Sequence, residues 1–386
     1  MPDRQGFAKG VRISHTGSMK IFVDARMIGA TITRGIGRVV EAFLPRLIRL
    51  FPGHEWCVLV RYPEQVTMIP VSQNVRVIQR DIGWYGFAEQ IQVAWMLWRE
   101  RPAVALFFHW NIPVLWPGKI VTFLHDFLLF HQPVASKLSL RHPWIAKAKN
   151  AVQRRLVPFV VWRSSGIGVP TQYVKEDLHK LFPWAKTPAR VVGEGVDLPA
   201  PAFGGRLKQE PYCLMIGSVY PHKRVDLALR AWKSVAAQHP DHALVMVGER
   251  DVFMRRYEQM VKDESIPRVV FVGRVSDEEL VTWCRDAELF VFASSEEGFG
   301  LPPLEALMMG CPVLASDTPC LVEVLPKKAV RFFRNGDEAD MIETWKEALR
   351  SRTHLVSEIP AAQDNIRARH RWDEAVRDFA RLLQVS

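Results

Sequence analysis

The stretch ELFVFASSEEGFGLPPLEALMMGCPVLAS, residues 288–316, holds a whole structural unit in its own chemistry. ELFVFA (288–293) is a short, nearly continuous apolar run, which is how a strand covered on both faces reads. Glycines at 298 and 300 then free the chain to turn and let its amides approach a ligand closely. Pro302 and Pro303 suit the first turn of a helix. LEALMMG carries that helix to Gly310, its C-terminal stop, and PVLAS (312–316) is the next buried strand. Strand, glycine loop, helix and strand in succession predict a parallel sheet with a right-handed crossover.

The pattern repeats on either side. YCLMIG (212–217), ALVMVG (243–248) and RVVFVG (268–273) are further apolar runs, each ending in glycine at the carboxyl edge, where open α/β sheets bind ligands. Amphipathic patterns such as VDLALRAWKSVAAQ (225–238) and DEELVTWCRD (277–286) fall between them. Upstream, IFVDA (21–25), WCVLVR (56–61), VRVI (75–78), VALFF (104–108), KIVTFL (119–124) and GIGVP (166–170) read as strands. The patterns from Val39 to about Leu50, a Trp-rich one around 87–99 and QYVKEDLHKLF (172–182) read as helices. VDLPAPAFGGRLKQEP (196–211) is dense in Pro and Gly without periodicity and reads as a linker. The expectation is α/β: two doubly wound, Rossmann-like domains, at 19–195 and 212–366. A disordered basic leader (1–18) is expected before them, with Met19 as a second candidate start. A helix within 367–386, of undetermined packing partner, follows.

The 386 residues carry 51 Lys and Arg against 41 Asp and Glu, so the formal charge is +10 and an anionic partner is expected. Cys57, Cys213, Cys284, Cys311 and Cys320 are odd in number and show no C-x-x-C pair, which speaks against a disulfide framework or a zinc site. The apolar run 103–116 is interrupted by His109, Asn111 and Pro113, so it is not a membrane span. From Asp126 to Glu176 no acidic residue intervenes. Lys137, Arg141, Lys147, Lys149, Arg154, Arg155, Arg163 and Lys175 lie there among Trp144, Phe159 and Trp162. Such a surface suits anionic lipid headgroups, and it reads equally well as a solvated face over a packed helix. No nucleic-acid-binding motif accompanies it, and no nucleic-acid partner is expected.

Within 294–316, Glu297 falls in the loop, and Glu305 is expected in the first turn of the helix, where the macrodipole favours a carboxylate. Two such groups can accept hydrogen bonds from vicinal hydroxyls. On spacing alone, a capping carboxylate and a solvated loop residue explain them as well. GSVYPHKRVDLALRAW (217–232) places a basic cluster between a strand and a helix start, a suitable diphosphate site.

The series E-G-F-G-L-P-x-L-E-A-x-x-x-G-x-P-V from Glu297 closely resembles the signature of glycosyltransferase family 4, retaining enzymes of the GT-B fold that use nucleotide-sugar donors. The resemblance implies that Glu305 binds the nucleotide ribose and that Glu297 contacts hydroxyls of the transferred sugar, beside Phe299, Gly300 and Leu301. It implies that Lys223 clamps the diphosphate, with Ser218 and His222 standing where an arginine often occurs and Arg224 able to substitute. VTFLHDF (121–127) resembles the family's His-Asp motif, which puts His125 near the reacting sugar carbon and leaves Asp126 to orient or cap. TRGIGRVVEAF (33–43) resembles a loop that brings Gly35 and Gly37 to the donor phosphate. VVGEGVD (191–197) resembles a hinge segment, with Gly193 and Glu194 as departures from it. Arg274 lies where members contact the base through backbone.

No D-x-D pair follows a strand, so the expected chemistry is metal-independent, with no cofactor beyond the donor co-substrate. The resemblance leans towards GDP-mannose as donor and a saccharide acceptor, a lipid-linked glycan of surface polysaccharide synthesis, met in the cytoplasm or at the inner face of the membrane. UDP-glucose-type transfer and a catalytically inactive sugar-binding scaffold are the alternatives.

Overall fold

The computed structural model describes residues 18–29, 34–132, 142–197 and 207–384. Residues 1–17 of the expected leader and 198–206 of the expected linker lie outside them, as do Lys137 and Arg141. Two parallel, Rossmann-like sheets are present. The first runs β3-β2-β1-β4-β5-β6-β7 and the second β10-β9-β8-β11-β12-β13. The strands of the first are β1 (Lys20–Asp24), β2 (Glu55–Val60), β3 (Val75–Gln79), β4 (Val104–Phe107), β5 (Ile120–Phe123), β6 (Gly166–Val169) and β7 (Ala189–Val191). Those of the second are β8 (Tyr212–Ile216), β9 (Ala243–Val247), β10 (Val269–Gly273), β11 (Leu289–Phe292), β12 (Val313–Ser316) and β13 (Val330–Phe333). By packing, the chain falls into two compact units. One reaches Leu106 and takes in Pro113–Lys119; the other holds Phe107–Ile112 and the chain from Ile120.

In the first unit, β1 and β2 are buried almost throughout, as continuous apolar runs require, and β2 pairs in parallel with β1 and β3. The helix Arg34–Leu50 starts five residues earlier than the apolar pattern from Val39. Gly35 and Gly37 therefore lie in its first turn and not in a free loop. The helix Phe87–Glu100 is the Trp-rich segment.

In the second unit, β6 is Gly-Ile-Gly-Val, unusual for a strand because glycine packs nothing. The helix Trp372–Gln384 supplies the reason. A Cβ on Gly168 would stand 2.9 Å from Phe379 Cδ2, and one on Gly166 would stand 3.2 Å from Leu382 Cδ2, so the missing side chains let this helix lie directly on the strand. Phe379 continues the packing onto Phe108 and Phe123, with ring centroids 5.7 and 6.1 Å away. The pattern over 367–383 that reads as one helix is two, broken at His370 and Arg371. The buried His370 ring stands 3.1 Å from the Val324 carbonyl. Around β8–β13, apolar side chains on both faces form the second core, with Trp232 and Trp345 in contact at 5.4 Å.

The ends of β8, β9 and β10 are level. Gly217 N–H donates to the Val247 carbonyl at 2.9 Å and Gly248 N–H to the Gly273 carbonyl at 3.0 Å. Gly217 and Gly273 take φ of 116° and 91°, values that disfavour a side chain. A Cβ on Gly248 would lie 2.3 Å from the Gly217 oxygen. The strand-terminal glycines thus keep this edge narrow.

Candidate active site

The loop after β8 and the loop after β11 meet over the carboxyl edge of the second sheet. Pro221–Lys223 is a single 3-10 turn that hands over to the helix Val225–Ala236 through Arg224, whose φ is 48°. Ser295 closes onto it, donating from its amide (2.7 Å) and its hydroxyl (3.1 Å) to the His222 carbonyl. This fixes Lys223 so that its Nζ stands 2.5 Å from Glu297 Oε1, which also accepts from Ser294 Oγ at 2.5 Å. Lys223 in addition lies over the Phe292 ring, 5.1 Å from its centroid. Burial pushes the Glu297 carboxyl up, but the Lys223 charge and the hydrogen bonds from Lys223 and Ser294 outweigh it and hold it below the usual carboxylate range. Burial and the neighbouring Lys223 charge lower His222 to about 4, so its imidazole is neutral at physiological pH.

The segment after β5 reaches the same loop. A Cβ on Gly298 would fall 1.8 Å from the His125 carbonyl oxygen, so only glycine permits this approach. The Gly298 carbonyl accepts from the buried Thr171 hydroxyl at 3.0 Å, and Gln132 Nε2 donates to Ser295 Oγ at 2.8 Å. His125 Nε2 stands 3.1 Å from the Phe108 carbonyl, and because a carbonyl only accepts, that nitrogen carries the hydrogen. Its Nδ1 faces Glu194 Oε1 at 3.6 Å. Asp126 accepts from the Leu128 N–H at 3.0 Å, while desolvation by surrounding protein raises its carboxyl.

Beside this lies an acidic group that the motifs do not announce. His131 Nε2 stands 2.7 Å from Asp177 Oδ2 and 3.8 Å from Glu296 Oε1. Burial pushes Glu296 up to about 7 despite the opposing effect of His131. Burial lowers His131, but its bond to Asp177 and the Glu296 charge outweigh this and raise it. Nothing in the local sequence marks His131 or Asp177, since they come from separate elements and meet only in the fold. Glu194 was legible only as a departure from a hinge motif, yet its carboxylate faces the His125 ring.

The structure therefore brings His125, Asp126, Lys223, His222 and Glu297 into one neighbourhood. Ser218 lines a small recess with Gly217, Lys223 and Ser294. Arg224 stands 3.6 Å from Asp226, and Arg274 is exposed just beyond β10. The Phe299 side chain is core, against the His370 ring at 5.4 Å, and its carbonyl accepts from Cys320 Sγ at 3.3 Å. Gly300, at φ 96°, precedes the helix Leu301–Met308, and Leu301 is half-buried. Because that helix opens at Leu301 with both prolines in its first turn, Glu305 sits in its second turn, not its first. Glu305 is buried at 7% exposure. Gly35 and Gly37 belong to the other compact unit.

Two Rossmann-like parallel-sheet domains, with charged loops at the carboxyl edge of the second sheet, are the architecture of the GT-B glycosyltransferases, and similarity to the group 1 family over the second of them identifies the chain as a glycosyltransferase. Residues 201–370 match the family model for glycosyl transferases group 1, so the second sheet lies within a group 1 domain. The O-antigen chain mannosyltransferase RfbU of Salmonella typhimurium is 25% identical over 294 residues, 76% of this chain and 77% of that protein. The serotype-specific mannosyltransferase WbdA of Escherichia coli is 27% identical over 47% of this chain, which spans only 23% of that longer relative. Among solved structures, sucrose-phosphate synthase from Thermosynechococcus elongatus superposes with a TM-score of 0.72 at 18% identity, over 95% of this chain and 98% of that one.

Proposed function

We propose that this glycosyltransferase moves mannose from GDP-mannose to a lipid-linked saccharide acceptor in surface polysaccharide synthesis, with retention at the anomeric carbon and without a metal ion. The observation that carries the reading is the Lys223–Glu297 pair at 2.5 Å, set against the His125 carbonyl by Gly298. In the free protein the pair neutralises two groups that a sugar diphosphate would separate. Lys223 turns to the diphosphate as a point charge, and Glu297, an acceptor at neutral pH, takes hydrogen bonds from sugar hydroxyls. Neutral His222 adds no charge, so Lys223 carries the cationic part and backbone amides the rest.

The His125 carbonyl, set against Gly298 beside Glu297, offers a dipole for the positive charge that grows at the anomeric carbon. The leaving diphosphate holds the negative charge and accepts the proton of the attacking hydroxyl on the same face, giving retention. Glu305, buried in the helix that follows, is assigned to the ribose. The mannose assignment draws support from the O-antigen mannosyltransferase relatives. Exposed Lys147, Arg154, Arg155, Trp144 and Trp162 on the helix Pro143–Arg163 support work at an anionic membrane surface, and among the described residues no helix is long and apolar enough to cross one.

A thermal-shift titration with GDP, UDP and ADP, with and without EDTA, tests the donor. Stabilisation by GDP alone, unchanged by EDTA, is expected. Stabilisation by UDP alone overturns the mannose assignment, and loss of the GDP effect in EDTA overturns metal independence.

A further inference from the structure

The helix Phe87–Glu100 is apolar on two sides. Its inner side buries Val93, Ala94, Met96 and Leu97. Its outer side presents Phe87, Ile91, Trp95 and Trp98 at 83%, 48%, 58% and 54% exposure, the spacing of one helical stripe. The 113–118 loop extends this face with Leu115, 60% exposed. Trp98 Nε1 donates to the Leu115 carbonyl at 3.4 Å, the Trp98 and Trp116 rings meet edge to face at 5.4 Å, and Val114 N–H donates to Gln90 at 2.9 Å. Helix and loop thus form one continuous patch, of a kind soluble surfaces seldom leave without purpose.

The charge around the patch is one-sided. Arg99 lies over the Trp95 ring at 5.5 Å, and Arg101 and Lys119 are exposed. The helix's carboxylates are engaged inward: Glu89 is buried against Arg26 at 2.6 Å, and Glu100 pairs with Lys20 and Arg76. Aromatic and aliphatic side chains fringed by cations match a bilayer interface, where rings enter the acyl boundary and arginines meet lipid phosphates.

We infer that the outer face of the helix Phe87–Glu100, with Leu115, inserts into the headgroup layer of an anionic phospholipid bilayer. The inference rests on the proposed membrane-borne acceptor and moves the apolar anchor away from the basic helix 143–163. Co-sedimentation of the full chain with phosphatidylglycerol–phosphatidylcholine vesicles, without donor or acceptor, tests it separately from catalysis. The wild type is expected to pellet with these vesicles. F87S/I91S/W95S is expected to bind them roughly tenfold or more weakly, with its melting temperature and nucleotide-induced shift unchanged. R99E/K119E, which leaves the apolar residues in place, is expected to weaken binding to anionic vesicles as well. Failure of the wild type to pellet overturns the inference, as does equal binding by the triple variant. So does loss of binding only when Lys147, Arg154 and Arg155 are reversed. A lipid-free dimer that the triple variant converts to monomer would make the patch a contact between copies and would also overturn it.

Discussion

Glu297 is held by two donors at once, and that makes its substitution informative. Glu297→Gln keeps the shape and the hydrogen bond from Ser294 but removes the charge that balances Lys223. A fall in kcat on the order of 10²–10³-fold is expected, with melting temperature near wild type, measured as sugar transfer under saturating donor. Lys223→Ala should instead raise KM for the donor as well as lower kcat, because the diphosphate loses its point charge before and during reaction. Gly298→Ala is a steric test of the same site. Its Cβ would fall 1.8 Å from the His125 oxygen, so the loops must part. The expected cost is about 1–3 kcal/mol in urea unfolding, together with loss of activity. Glu296 supplies the pH dependence. With its folded-state value raised to about 7, the native state holds a proton that the unfolded chain releases at lower pH. That contribution to stability is present at low pH and is lost as pH rises towards and through 7. Raised His131 acts in the same sense. Glu296→Gln should therefore flatten the fall in melting temperature between mildly acidic and mildly alkaline buffer, and an unchanged slope would remove Glu296 from the account.

Thr171 joins two elements through one hydroxyl. It accepts from Val174 N–H at 3.2 Å, capping the helix Gln172–Leu181, and donates to the Gly298 carbonyl at 3.0 Å. Thr171→Val should cost about 1–2 kcal/mol, the range of a lost cap, and should also weaken donor binding; calorimetric titration of the nucleotide would separate the two effects. Most such elements were legible in the sequence because continuous apolar runs with terminal glycines admit little besides buried parallel strands. β7 and β13 escaped that reading. Their residues are interrupted by Arg190 and Arg331 and only half cover a face, so they look like loop. The early start of the helix at Arg34 was hidden by Gly35 and Gly37, poor helix formers that the first turn tolerates. At the site, Lys223, Glu297 and His125 could be singled out because each follows a recognisable strand in a segment that resembles a family motif. His131 and Asp177 could not, since they come from separate segments and meet only in the fold, and the approach of Glu194 to His125 is likewise made by the fold.

At the scale of the molecule, a ligand that binds only the folded state raises its stability as RT ln(1 + [L]/Kd), about 2.7 kcal/mol at a hundredfold excess over Kd. The nucleotide that fits the second sheet should therefore raise the melting temperature with concentration, and ligands that do not fit should leave it unmoved. The helix Trp372–Gln384 carries another consequence. It covers β6, yet its codons are translated only after every strand of the second sheet. While the ribosome builds that sheet, Phe108, Phe123 and the glycine strand stay uncovered, and a protease or chaperone can reach them. A nascent chain halted before Trp372 should be cut near β6 by a protease to which the finished protein is resistant. Synthesis thus leaves the sheet that begins first to be sealed last.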